Sequence, residues 1–193
     1  MIHSFFELID HLNACAQHER TQVEERVWKT FGVERAIMAL DMSQFSLSVR
    51  RSGIVAYLAQ IRRMQVVSAP IVRESGGEVI KYVADNLMAV FPDALQAVNA
   101  AVRINRALPA AEAGPAVAIG IDHGRFLMIP GEDCFGDPVN VAYKLGEDLA
   151  RPGEILITAA ARGRLGESSP HELREQQVSI SGLEFRAYSV SYA

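Results

Sequence analysis

The sequence predicts an α+β domain: a ferredoxin-like α/β sandwich core, with helices packed on a mixed sheet and one added N-terminal helix. Three observations lead there. Strand-like and helix-like segments follow the order β-α-β-β-α-β-β-α-β. The stretch KYVADNLMAVFP, residues 81–92, is two strand-forming runs around the tight turn Ala84-Asp85-Asn86. The 193 residues, 49% of them apolar, suffice for one full hydrophobic core.

Each element has its own signal. Residues 4–30 read as one helix, with Phe5, Ile9, Leu12, Val23 and Val27 at helical spacings and Gly32 ending it. Ser4 followed by Glu7 is a capping box. The apolar run AIMAL, 36–40, reads as a buried strand ending in Asp41. A long helix spans about 47–74, with Ile54, Leu58, Ile61 and Met64 on one face and a break near Pro70. Gly76-Gly77 closes it, and the 81–92 hairpin follows.

Pro92-Asp93 starts a helix with a small-residue face, Ala94, Ala97, Ala100, Ala101 and Ile104. AVAIGID, 116–122, and RFLMI, 125–129, read as two strands of a hairpin. Asp137-Pro138 opens a helix through VNVAYKLGEDLA. EILIT is a strand, AAARGRL a short helix, and VSI and EFRAYSV are closing strands. The expected division is a helical segment, 1–32, and one domain, 33–193.

Composition excludes several classes. A net charge of −4 argues against nucleic acid and anionic membranes as partners. No apolar run reaches the length of a membrane span, and the N-terminus lacks a secretory pattern. Cys15 and Cys134 are far apart, which fits a reduced, cytoplasmic setting.

The candidate chemistry lies on two constellations. Asp41 ends the first core strand and Asp85 sits at the hairpin tip. In a ferredoxin-like core both reach one edge of the sheet. Two carboxylates and a carbonyl oxygen suit a hard divalent cation, although an aspartate in such a place is more often a backbone cap. The second constellation is EDCFGDPVNVAYKL, 132–145, in which Asn140 and Lys144 share a helix face. A helix start with an amide and a cation could serve a phosphate chain; a solvent-facing lysine is the commoner case.

Taken in order, DMSQFS (41–46), KYVADNLMAVF (81–91), AIGIDHG (118–124), DCFGDPVNVAYKL (133–145) and RPGEILIT (151–158) resemble the catalytic domain of class III nucleotide cyclases, the adenylate and guanylate cyclase family. The resemblance spans about residues 36–188. It implies a homodimer with shared active sites and conversion of ATP to 3′,5′-cyclic AMP and pyrophosphate. It implies Asp41, Asp85 and the Met42 carbonyl as ligands for two Mg²⁺ or Mn²⁺ ions per site. Lys81 and Asp133 match the pair that reads the base, in the form suited to adenine. Asn140 matches the residue that orients the ribose. Lys144 stands where the family has an arginine that stabilises the transition state.

The departures sharpen the alternatives. The family has glycine where Gln44 and Ala84 stand, and a small residue where Tyr143 stands. Its triphosphate-binding lysine has no match near Ser181-Gly182-Leu183, where Arg186 is the nearest cation. A non-catalytic nucleotide-binding module, or a cyclase acting on GTP or a pyrimidine triphosphate, therefore stays open. The sequence shows no sensor domain, so control would come from a separate regulatory protein or from assembly. His123 reads as structural.

Overall fold

A computed structural model describes residues 4–42, 49–50, 52–108, 116–166, 169–180 and 183–192. Two helices, α1 (Phe5–Ala14) and α2 (Arg20–Phe31), precede strand β1 (Gly32–Met42). Helix α3 (Ile54–Glu74) leads to the hairpin β2 (Glu78–Val83) and β3 (Asn86–Phe91), and α4 (Ala94–Ala107) to β4 (Val117–Ile129). Then come β5 (Asp133–Phe135), α5 (Asp137–Tyr143), a π-helical segment (Lys144–Leu149), β6 (Ile155–Thr158), α6 (Ala159–Gly163), β7 (Glu172–Ile180) and β8 (Leu183–Ser191).

The described strands form one sheet ordered β2-β3-β1-β4-β6-β8-β7, with β5 pairing on β4. The first four strands in this order, β2-β3-β1-β4, each run antiparallel to their neighbours and give the expected ferredoxin-like order. Strand β6 joins β4 in parallel. Helices α3 and α4 cover one face over a core that includes Met38, Leu40, Phe91, Ile104 and Ile119. The other face packs Ile37, Val90, Phe126, Val139 and Ala142 under α5.

Three local expectations are corrected. The N-terminal segment is a helical hairpin, not one helix. No apolar residue anchors the stretch between the two helices, and Cys15 ends α1 with its N–H on the His11 carbonyl. The Glu19 carboxylate accepts from the Ala16 N–H, and Arg20 Nη1 donates to the Leu12 carbonyl, 3.3 Å away. Phe5, Leu8 and Val27 then close on one another with Ile129. The Ser4–Glu7 capping box is present.

Residues 117–129 are one strand, not a hairpin. Their partner is β1 along its whole length, from Gly32 opposite Leu127 to Met42 opposite Val117. Asp122, mid-strand and buried, is tolerated because its Oδ1 accepts from the Thr158 hydroxyl and from the His123 N–H.

Helix α3 runs through Pro70 without a break, since Val67, Ile71 and Val72 around it pack on the core. Its buried face is also rotated from the expected stripe. Tyr57, Ile61, Met64, Ser68 and Val72 face inward, while Ile54 and Leu58 are exposed.

One close approach sets the position of the second constellation. A Cβ on Gly120 would lie 2.1 Å from the Ala142 carbonyl oxygen and 2.6 Å from the Gly146 nitrogen. A Cβ on Gly146 would lie 2.9 Å from the Ala39 carbonyl oxygen. The π-helical segment thus lies backbone-to-backbone on β1 and β4, which fixes the backbone from which the exposed Lys144 projects. Gly120→Ala is expected to destabilise by about 3 kcal/mol or more through overpacking. That corresponds to roughly 6–12 °C in melting temperature, read by circular dichroism.

Candidate functional site

The hairpin and β1 bring the two predicted metal aspartates together. Leu40 pairs with Leu87 in the β1–β3 register, so Asp41 follows beside Asn86 and next to the turn that carries Asp85. With its amide oriented so that nitrogen faces the acceptors, Asn86 donates to Asp41 Oδ1 at 3.0 Å and to the Leu40 carbonyl at 3.1 Å. Tyr57, reaching across from α3, donates its hydroxyl to Asp85 Oδ2 at 2.8 Å. Ala84 takes up a left-handed conformation at φ 51°, so the turn keeps its shape despite the methyl group. Met42 ends β1 with its side chain in the core.

The electrostatics of this corner suit a cation. Burial pushes the Asp41 carboxyl up to about 7, and the nearby Asp85 and Glu147 carboxylates push in the same direction. Burial and the hydrogen bond to Asp85 also raise the Tyr57 phenol. Two partly desolvated carboxylates that repel one another are a donor set that a hard divalent ion would stabilise. Among the described residues no group of three or more His, Cys, Asp or Glu side chains is placed to hold a metal.

The base-reading candidates also meet. Lys81 on β2 donates to Asp133 Oδ2 on β5 at 2.6 Å, with the two side chains 28% and 30% exposed. Asp133 Oδ1 accepts from the Cys134 N–H. Burial raises the Cys134 thiol to about 12, so it stays protonated beside the pair. Tyr143 is half-buried against the same face of the sheet. Burial raises its phenol to about 12, and the Glu147 and Asp133 carboxylates add to the effect.

Asn140 and Lys144, both exposed, line a cleft of about 1110 Å³ together with Asp122, Thr158 and Arg186. Lys144 is paired with Asp148 at 2.8 Å, which raises its already high proton affinity. Arg186, the nearest cation to the unmatched phosphate position, lies in the same cleft as Asn140 and Lys144. Gln44, Ser181 and Gly182 lie outside the described residues. His123 gives its N–H to Asp122, and burial lowers its ring's proton affinity.

Two supporting residues were not singled out from the sequence. Tyr57 carried no local signal beyond lying in a helix. Asn86 belongs to the turn tripeptide in sequence, and only the strand register shows it reaching Asp41.

Solved structures of similar shape decide the fold. The adenylate/guanylate cyclase/hydrolase from Silicibacter pomeroyi superposes with a TM-score of 0.73 at 23% identity, covering 84% of this chain and 98% of that one. The adenylyl cyclase CyaB from P. aeruginosa gives 0.71 at 18% identity, covering 84% and 96%. The fold is that of a class III nucleotide cyclase catalytic domain. In sequence, this cyclase-fold chain is 30% identical over 129 residues to "Putative adenylate cyclase 3" of Rhizobium meliloti, spanning 64% of this chain. It is 26% identical over 145 residues to an adenylate cyclase of Glutamicibacter nicotianae, spanning 75% of this chain. The matches cover 22% and 36% of those two relatives' own lengths. No protein-family model matches the chain. Among the described residues no helix of this cyclase fold is long and apolar enough to cross a membrane.

Proposed function

We propose that this chain is an adenylate cyclase, converting ATP to 3′,5′-cyclic AMP and pyrophosphate at sites shared across a homodimer. The observation that carries the reading is the Lys81–Asp133 pair, held at 2.6 Å on a cyclase fold. A lysine donates to a ring nitrogen of adenine, and an aspartate accepts from its exocyclic amine. Guanine presents the opposite polarity at those edges. The named relatives point the same way.

Asp41, Asp85 and the Met42 carbonyl would hold two Mg²⁺ or Mn²⁺ ions. When bound, these would supply charge neutralisation at the triphosphate and ease ionisation of the ribose 3′-hydroxyl. The chain's own groups do the rest. Lys81 and Asp133 fix the base, and Asn140 orients the ribose for in-line attack on the α-phosphorus. Lys144 leaves Asp148 to meet charge developing on the phosphoryl oxygens. Arg186 stands in the same cleft to meet the departing pyrophosphate. Lys81 and Asp85 lie four residues apart along one hairpin. They would serve opposite sites of the dimer, as an isologous interface permits. Residues 33–193 would form the catalytic unit, in a cytoplasmic setting, with control from a separate regulatory protein.

One observation favours a second reading. Lys144 is engaged by Asp148 and lacks the planar fork of arginine, which suits a nucleotide-binding module without turnover. The test incubates the purified chain with each of the four nucleoside triphosphates and Mg²⁺ or Mn²⁺. Cyclic AMP formed from ATP, well ahead of the other products, is the expected result. Binding without any cyclic product supports the module. A cyclic product from GTP or a pyrimidine triphosphate instead overturns the adenine assignment.

A further inference from the structure

We propose that Tyr57 is a positioning residue for the metal site: its phenol fixes the Asp85 carboxylate in the orientation that receives a divalent cation. This inference rests on the metal reading of Asp41 and Asp85 above.

Asp85 is carried on a turn, a poor platform for a group that must be held to a fraction of an ångström. Its neighbour Ala84 sits at φ 51°, a conformation that costs a non-glycine residue roughly 1–2 kcal/mol. Nothing in the turn itself anchors the carboxylate. Tyr57 supplies an anchor from outside. It belongs to a 21-residue helix, is 1% exposed, and packs in the main core with Met64 and Leu87. A buried phenol needs a hydrogen-bond partner, and this one gives its proton to Asp85 Oδ2 at 2.8 Å. The bond engages Oδ2, and among the described residues no hydrogen bond is made to Oδ1.

Asp41 is held in a parallel way, by the Asn86 amide on its Oδ1 at 3.0 Å. Each carboxylate therefore has an orienting donor from a different element. Tyr57 is the one that ties a turn to a packed helix. Outer partners of this sort typically change metal affinity by about 10–100-fold when removed.

The test is Tyr57→Phe in the full chain, which keeps the ring and removes the donor. Mn²⁺ alone is titrated against wild type, Tyr57→Phe and Asp85→Ala by electron paramagnetic resonance. Melting of the metal-free proteins is recorded alongside. The expected result is saturable Mn²⁺ binding by wild type, about 10-fold weaker in Tyr57→Phe and lost in Asp85→Ala, with little change in metal-free melting for Tyr57→Phe. In the cyclase assay the Mn²⁺ concentration for half-maximal rate should rise for Tyr57→Phe, while the KM for ATP at saturating Mn²⁺ stays put. Unchanged or tighter Mn²⁺ binding by Tyr57→Phe overturns the positioning role, and with a lowered melting temperature it makes the bond purely structural. Absence of saturable Mn²⁺ binding by wild type overturns the metal reading itself, and this inference with it.

Discussion

Asp41→Asn is expected to lose cyclic-nucleotide formation by about 10²-fold or more while becoming more heat-resistant than wild type in metal-free buffer at pH 8. The two effects have opposite signs for one reason. Burial and the neighbouring Asp85 and Glu147 charges raise the Asp41 carboxyl from 3.8 to about 7. Between those values the folded chain binds a proton that the unfolded chain has released. Stability from this group is therefore fully present below about pH 4 and is lost as pH rises through about 7. Asparagine carries no charge to desolvate, so it removes the loss. It also removes the ligand charge that a cation needs. Melting curves from pH 4 to 8 in a chelator check the sign. Wild type should decline across that range and Asp41→Asn should decline less. Adding Mn²⁺ at pH 8 should raise wild type and leave the variant nearly unmoved. A variant that melts below wild type at pH 8 in the chelator would contradict the argument.

Lys144→Ala is expected to lower kcat by about 10²–10³-fold with a small change in KM, as the proposed transition-state role of its charge requires. Lys144→Arg is expected to raise kcat above wild type. The lysine ammonium is a single point of charge and is engaged by Asp148 at 2.8 Å. A guanidinium can keep one N–H on Asp148 and present a fork to two phosphoryl oxygens. Steady-state kinetics with ATP and saturating Mn²⁺ measure both. Activity that is zero in wild type and stays zero in Lys144→Arg would establish the nucleotide-binding module instead.

The sequence made the hairpin legible because alternating apolar runs flanked a turn tripeptide, and the structure places β2 and β3 there. It made Asp41 and Asp85 neighbours because a ferredoxin-like order sets the first strand beside the hairpin, as the β1–β3 register shows. It misread residues 117–129, since Gly120, Asp122, His123 and Gly124 look like turn residues in one dimension. Their reasons lie in three dimensions. Gly120 makes room for the π-helical segment, and Asp122 is satisfied by Thr158 from another strand. Tyr57 was invisible for the same reason: the partner that gives it meaning is 28 residues away. The rotated face of α3 shows the limit of periodicity. Ile54 and Leu58 fit the spacing yet are exposed, while a tyrosine takes the inner position.

Phe5 on α1 lies flat against Phe135, ring centroids 5.6 Å apart and planes within 5°, and meets Phe31 edge-on. Phe135 closes the three-residue strand that begins with Asp133. The amino-terminal hairpin is thus in mechanical series with the group assigned to the base, through one aromatic stack and two peptide units. A displacement of α1 would therefore bear directly on the strand that carries Asp133, through the Phe5–Phe135 stack.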